Sequence, residues 1–320
     1  MASYFLLSVS TRQNLDLCMK YGWAGFTNSI NGLWTFLDIE VGDFVSFLYG
    51  ARVYNLYQVV DKAAFRDADS LPPWPKVTFR SGYTYFFPFR LSLRQVRRLN
   101  EPMVRPEFAY VAENLLLRGG YRRTHFQADH VTFNQVSRMG KVQYQEPQPW
   151  DKNAPTFIPK IGMGVKSNTP YLFQFRELLL QALLRKHFSS PPILKILLNA
   201  FGIEDAPETF EVLGEKALPE GFVDMVIKHK HPEGQDKLLL VEVKTGTATS
   251  KDVAQISNYL HILGEDAVGG ILVARKFPKK ACEQLPQHIH LVKYSFENTE
   301  KGGIYDASAL LNHLSTQVVC

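Results

Sequence analysis

The feature that most constrains this chain is a pair of strand-type runs, each carrying an acid among apolar neighbours. The first is Phe222-Val223-Asp224-Met225-Val226-Ile227; the second, with Glu242 eighteen residues after Asp224, is Leu238-Leu239-Leu240-Val241-Glu242-Val243-Lys244. Such runs read as buried strands of a sheet covered by helices. A carboxylate inside one is costly unless it is paired or holds a cation. Strand side chains alternate, so Glu242 and Lys244 project from one side. The polar turn His-Pro-Glu-Gly-Gln-Asp at 231–236 lets a short hairpin bring Asp224 beside them. Two carboxylates and an ammonium gathered there suit Mg²⁺, which takes few protein carboxylates together with water and phosphate oxygens. Asp224 and Glu242 are the candidate metal ligands, with Mn²⁺ expected to substitute. The cation would polarise a phosphodiester and lower the pKa of an attacking water, while Lys244 orients that water or offsets developing charge. The competing reading is a buried ion pair that merely stabilises the strands, and spacing alone leaves both open.

The surrounding elements are expected to form a mixed α/β unit, a sheet flanked by helices. They are a Leu-rich helix over 171–187, a helix over 191–202, the two strands, a helix over 250–263, a strand at 269–274, a helix near 279–285 and a strand at 288–294. On the helix after the two strands, Gln255 and Tyr259 stand at i and i+4, hence on one face. Gln255 could bind a water on the metal or a phosphate oxygen, and Tyr259 could bond the substrate or the lysine. Glu177, on the first helix, is a further candidate carboxylate, or else a solvated helix position. His229 and His231, at the hairpin turn, are expected to be solvated.

With these residues in view, GFVDMVI, LLLVEVKTG, QISNY and GGILVA together resemble the RecB-like branch of the PD-(D/E)XK nucleases, with its D…ExK…QxxxY pattern. Their order is similar to the catalytic domain of NucS-type endonucleases over roughly residues 171–296. The resemblance implies catalytic roles for Asp224, Glu242, Lys244, Gln255 and Tyr259, and by position alone for Glu177. Where NucS-type proteins usually carry Gly-Arg-Ile-Asp, this chain has Gly221-Phe222-Val223-Asp224, so the arginine is missing.

The first half has another character. Residues 1–160 hold 19 Lys and Arg against 13 Asp and Glu, whereas residues 161–320 hold 17 against 18. Thirteen of the sixteen arginines and all four tryptophans fall in that first half, and these residue types bind phosphate and stack on bases. Aromatic and β-branched runs at 4–10, 43–50, 52–61 and 83–92 indicate a mostly β domain, with short helices at 14–21 and 32–37 and a longer one over 106–118. YFLLSVSTRQN, KYGWAGF, VGDFVSFLYG and LPPWPKVTF resemble the EVE/YTH group of PUA-like domains, small β-barrels that accept a modified base. The resemblance implies an aromatic cage with Trp23 and Trp74 as its walls, and Tyr49 as a third candidate by its place after the strand. Core packing is the competing role for these rings, and Trp34 is expected in the core. Two clusters, Arg90, Arg94, Arg97, Arg98 and Arg118, Arg122, Arg123, are candidates for the DNA backbone. Arg94, Arg97 and Arg98 would share one face if their segment is helical.

The proline-rich stretch 149–169 is expected to link domains at 1–148 and 170–320. Cys18, Cys282 and Cys320 are widely spaced, which argues against a disulfide framework or a structural zinc site. No run of 18 apolar residues is present, and the opening MASYFLLSVSTRQN has no basic leader, so a cytoplasmic protein of the prokaryotic nucleoid is expected. The expected function is a modification-dependent, double-stranded DNA endonuclease acting as a homodimer. The alternatives are a NucS-like repair nuclease for mismatched or branched DNA, and a non-catalytic protein that binds modified nucleic acid.

Overall fold

The computed structural model describes residues 2–50, 52–68, 71, 73–78, 80, 82, 84–99, 124–151, 153–165, 171–218, 221–278, 280–300 and 302–320. The chain divides into two compact units, Met1–Pro159 with Asn168–Phe173, and Lys160–Ser167 with Gln174–Cys320. Several sheets and seven α-helices among the described residues make it a mixed α/β protein. No helix among those residues is long and apolar enough to cross a membrane.

The first unit runs β1 (Tyr4–Ser8), α1 (Arg12–Tyr21), β2 (Trp23–Phe26), α2 (Ile30–Asp38), β3 (Phe44–Tyr49), β4 (Arg52–Ala64), β5 (Val77–Thr78), β6 (Thr84–Tyr85), β7 (Phe89–Arg98), β8 (His125–Ala128), α3 (His130–Val136) and β9 (Lys141–Gln145). Its main sheet has the order β2-β7-β4-β3-β1-β8, with β9 also paired to β7. The β1–β3 pair is parallel, and β3–β4, β4–β7, β2–β7, β1–β8 and β7–β9 are antiparallel. The hydroxyls of Thr11 and Ser29 accept from the amides of Asn14 and Gly32 and so start α1 and α2. One core cluster joins Tyr4, Leu6, Leu48, Val53 and Leu56 to Ala128 and Val136. Trp34 is in the core as expected, its ring 4.4 Å from that of His125. His125 in turn reaches Asp38 through Nε2 at 2.8 Å and Thr35 through Nδ1 at 2.9 Å, so these buried polar groups satisfy one another.

The second half continues with β10 (Lys160–Gly162), β11 (Leu172–Gln174), α4 (Glu177–Phe188), α5 (Pro191–Ala200), β12 (Phe210–Leu218), β13 (Gly221–His229), β14 (Leu238–Thr247), α6 (Ser250–Leu263), β15 (Ala267–Lys276), β16 (Ile289–Phe296), β17 (Ile304–Tyr305), α7 (Ala307–His313) and β18 (Leu314–Val318). Its six-stranded sheet has the order β12-β13-β14-β15-β16-β18, antiparallel at both margins and parallel across β14, β15 and β16. α6 is the crossover that a parallel β14–β15 pair requires. It opens with a capping box between Thr249 and Asp252.

Several expectations need correction. The helix expected over 171–187 begins only at Glu177, because the preceding residues include β11. The helix near 279–285 is a single 3₁₀ turn, Cys282–Gln284. Cys282 and Cys320 are disulfide-bonded. Their separation in sequence misleads because β18 pairs with β16 and returns the end of the chain to that turn. His229 is packed against Phe210, ring centroids 4.1 Å apart, rather than solvated. Part of the 149–169 stretch is packed as well: Trp150 lies against Trp23 and Phe65, and Phe157 against Phe89. The helix expected over 106–118 lies outside the described residues.

Candidate active site

The register of the central hairpin assembles the site. Met225 stands opposite Val241 and Val226 opposite Leu240, so one step further Asp224 comes level with Glu242. There the ladder changes partner, and the Val243 amide donates to Asp224 Oδ2 at 2.7 Å. The other oxygen, Oδ1, accepts from Gln181 Nε2 at 2.6 Å. Glu242 is 3% exposed, and its Oε1 accepts from Lys244 Nζ at 2.7 Å. Its Oε2 is buried without a hydrogen-bond partner. Lys244 Nζ also lies 3.9 Å from Asp252 at the start of α6. Glu177 is the first residue of α4, and its charge acts on Asp224, Glu242 and Lys244.

The electrostatics follow from this crowding. Burial, and next the charge of Glu242, push the Asp224 carboxyl well above the usual carboxylate range. Burial likewise raises Glu242, with Lys244 pulling the other way. For Lys244 burial acts downward, but its bond to Glu242 and the surrounding carboxylates more than offset that, and the ammonium is held more firmly than usual. A low-dielectric site thus holds two carboxyls strained toward neutrality beside a fixed positive charge.

The residues fit a divalent cation. An orphaned, buried carboxylate oxygen beside a second carboxylate is the kind of donor set that a hard cation satisfies. No group of three His, Cys, Asp or Glu able to hold a metal occurs among the described residues. Asp224 and Glu242 are the side chains that could hold such a cation, with water and substrate oxygens completing the shell, an arrangement that Mg²⁺ accepts.

Gln255 and Tyr259 do share a face of α6, but their contact is mutual, Gln255 Nε2 donating to the Tyr259 hydroxyl at 3.1 Å. Tyr259 packs with Val223, Val226, Leu238 and Leu240, and its hydroxyl lies over Gly221 where a Cβ would sit. Two residues of the site were not singled out in the sequence. Asp252 is hidden by its capping role. Gln181 stands one turn after Glu177, and the legible signal was a polar residue at i+4 within a run of leucines.

Because Gln181 fixes the orientation of Asp224, Gln181→Leu is expected to weaken Mn²⁺ binding by about tenfold, as removal of outer-shell partners does. Calorimetric titration checks this, and an unchanged affinity would deny Gln181 any part in holding the ligand.

In the first unit the candidate cage residues Trp23 and Trp74 are brought together, but around Arg90. The guanidinium lies 5.9 Å from the Trp23 ring, 5.2 Å from Trp74 and 5.6 Å from Phe65. It donates to the carbonyls of Phe87, Ala68 and Leu71. Arg90 is 1% exposed, which corrects its expected place on a DNA-facing surface, and burial lowers its pKa to about 10. Trp74 also covers Gly25, where no side chain would fit. Both tryptophans are buried, so the space between them is filled by the arginine. Tyr49 is half-buried, and its electrostatic neighbour is Arg12.

Arg94, Arg97 and Arg98 lie on strand β7, so they alternate between faces and do not share the helical face expected of them. Aromatic and β-branched neighbours and two flanking strands decide that segment's conformation. Arg94 pairs with Glu146 at 2.7 Å. Arg118, Arg122 and Arg123 lie outside the described residues.

No protein-family model matches the chain, and no curated protein matches it. Three solved structures are similar over part of their length. An EndoMS–dsDNA2 complex aligns at 26% identity and TM-score 0.19 over 28% of this chain and 38% of that one. A repair endonuclease from Pyrococcus abyssi aligns at 18% identity and TM-score 0.24 over 45% and 66%. The DNA modification-dependent restriction endonuclease AspBHI aligns at 12% identity and TM-score 0.21 over 84% and 62%.

Proposed function

We propose that this chain is a modification-dependent DNA endonuclease: a PUA-like first unit tests a modified base, and a PD-(D/E)XK second unit hydrolyses a nearby phosphodiester with Mg²⁺. The observation that carries this is the juxtaposition of Asp224, Glu242 and Lys244 around a buried carboxylate oxygen with no partner. When bound, Mg²⁺ would supply Lewis acidity toward the phosphate and make water more acidic at neutral pH. The chain's own groups do the rest. Gln181 and the Val243 amide hold Asp224 in one orientation, and Lys244 holds Glu242 while presenting a fixed positive charge to the phosphate. Glu177, whose charge acts on Asp224, Glu242 and Lys244, would take a proton from water or hold that water in place, and Gln255 with Tyr259 buttresses the wall behind the hairpin. Arg97 and Arg98 supply sequence-independent affinity for the backbone. One such site cuts one strand, so double-strand cleavage calls for a homodimer, and the reaction belongs to the nucleoid.

A repair endonuclease for mismatched or branched DNA is the second reading, favoured by one observation: Arg90 fills the space between Trp23 and Trp74. Base entry there requires Arg90 and the segment bearing Trp74 to move. Otherwise identical duplexes carrying N6-methyladenine, 5-methylcytosine, 5-hydroxymethylcytosine, N4-methylcytosine or no modification separate the two. Preferential cutting of one modified duplex is expected. Equal cutting of the unmodified duplex removes the modification dependence.

A further inference from the structure

The β9 edge of the first unit carries a nucleic-acid contact of its own: we propose that an unstacked base lies on Tyr144 while Arg97, Arg98, Arg138 and Lys141 hold the neighbouring phosphates. The inference rests on the nucleic-acid partner of the proposed function and is independent of its cleavage chemistry.

β9 pairs on one side with β7, placing Val142 beside Arg97 and Lys141 beside Arg98. Among the described residues nothing pairs with its other side. Tyr144 is 74% exposed and Val142 56%. A phenol ring held that far into water on an ordered strand gains little from the fold, and a flat aromatic is the usual platform for a base.

The charge around it has one sign. Gly140, with φ of 64°, turns the chain tightly against the backbone of Arg98 and Leu99, which sets Arg138 and Lys141 on either side of that contact. Segments 94–98 and 138–146 together hold five cationic side chains against one carboxylate, Glu146, which Arg94 already engages. Arg97, Arg98, Arg138 and Lys141 make no ion pair among the described residues. Arg98, Arg138 and Lys141 are exposed and Arg97 half-buried. Arg98 and Lys141 share one face of the edge and Arg97 the other, so cations stand on both faces of the edge that carries the projecting aromatic, which suits a phosphate chain with splayed bases running along it. A protein partner would need more apolar surface than Val142 and Tyr144 offer.

The test is equilibrium binding of a fluorescent 20-nucleotide oligothymidylate and of a duplex of equal length to the full chain in EDTA, where no cleavage intervenes. Tyr144→Ala is expected to weaken oligothymidylate binding about tenfold and Tyr144→Phe to preserve it, as stacking requires. The double variant R98E/K141E is expected to flatten the salt dependence by about two phosphate contacts. Oligothymidylate affinity unchanged in Tyr144→Ala overturns the proposal. So does sedimentation that shows this variant losing self-association instead, since β9 would then be an edge between copies. A parent protein that binds through Tyr144 yet cuts no DNA in Mg²⁺ sinks the nuclease reading and leaves this one standing.

Discussion

Lys244→Ala is expected to lower the single-turnover cleavage rate by about 10²–10³-fold, the usual loss when one preorganised charge at a reacting centre is removed. The expectation follows from placement. Lys244 donates to Glu242, and its bond to that carboxylate together with the surrounding carboxylates holds its ammonium more firmly than usual. Removing it leaves Glu242 Oε1 without its partner in a buried position, so Glu242 shifts further toward the neutral acid and ligates less well. The loss should therefore be deeper at low pH and partly relieved as pH rises. Because Glu242 is left buried without its cation, the variant should also melt at a lower temperature while keeping the parent's folded spectrum. Quenched-flow cleavage of a substrate duplex, with circular dichroism as the folding control, measures both. A variant that cuts within a few-fold of the parent would leave the Glu242–Lys244 pair as a strand-stabilising device and nothing more.

Mg²⁺ is expected to stabilise the protein strongly at pH 8 and weakly at pH 5. Asp224 and Glu242 both have folded-state pKa values above their ordinary values of 3.8 and 4.5. The folded state thus binds more protons than the unfolded chain across that window. The contribution of these two groups is fully present below the ordinary values and is lost as pH rises through the raised ones. Metal-free protein should lose stability from this source on going from pH 5 to pH 8. Ligation needs both carboxylates ionised, so Mg²⁺ acts in the opposite direction. At a hundredfold excess over its dissociation constant, a cation that binds only the folded state adds about 2.7 kcal/mol. For a unit of this size that raises the melting temperature by roughly 5–10 °C. Scanning calorimetry at the two pH values, in EDTA and in MgCl₂, gives four melting temperatures. Equal Mg²⁺ shifts at both, or none at either, would remove the cation from the site. Asp224→Asn should abolish most of the shift while reducing the pH dependence of the metal-free protein.

The sequence by itself determined that Asp224, Glu242 and Lys244 of the second unit come together. A carboxylate in an apolar strand, a second one eighteen residues on and a lysine two residues later can be buried together in very few ways, because the period of a strand admits no other face. The same logic made α6 legible, with Thr249 and Asp252 at its start and Gly264 at its end. The edge strands β12 and β18 were not legible. An edge is paired on one side only and tolerates polar residues, so its pattern is weak.

What only the tertiary structure decided lies where distant segments meet. Gln181 belongs to the site because α4 packs its first turns against the hairpin, a contact across forty-three residues that no local period encodes. Arg90 sits in a basic run that reads as a surface. Its fate was set by Trp23, Phe65 and Trp74 closing around it, and by the carbonyls of Ala68, Leu71 and Phe87, which accept hydrogen bonds from it. The disulfide joining Cys282 to Cys320 depends in the same way on β18 returning along β16. Local periodicity fixes which side chains share a face, whereas the company a side chain keeps is fixed by chain segments that only packing brings together.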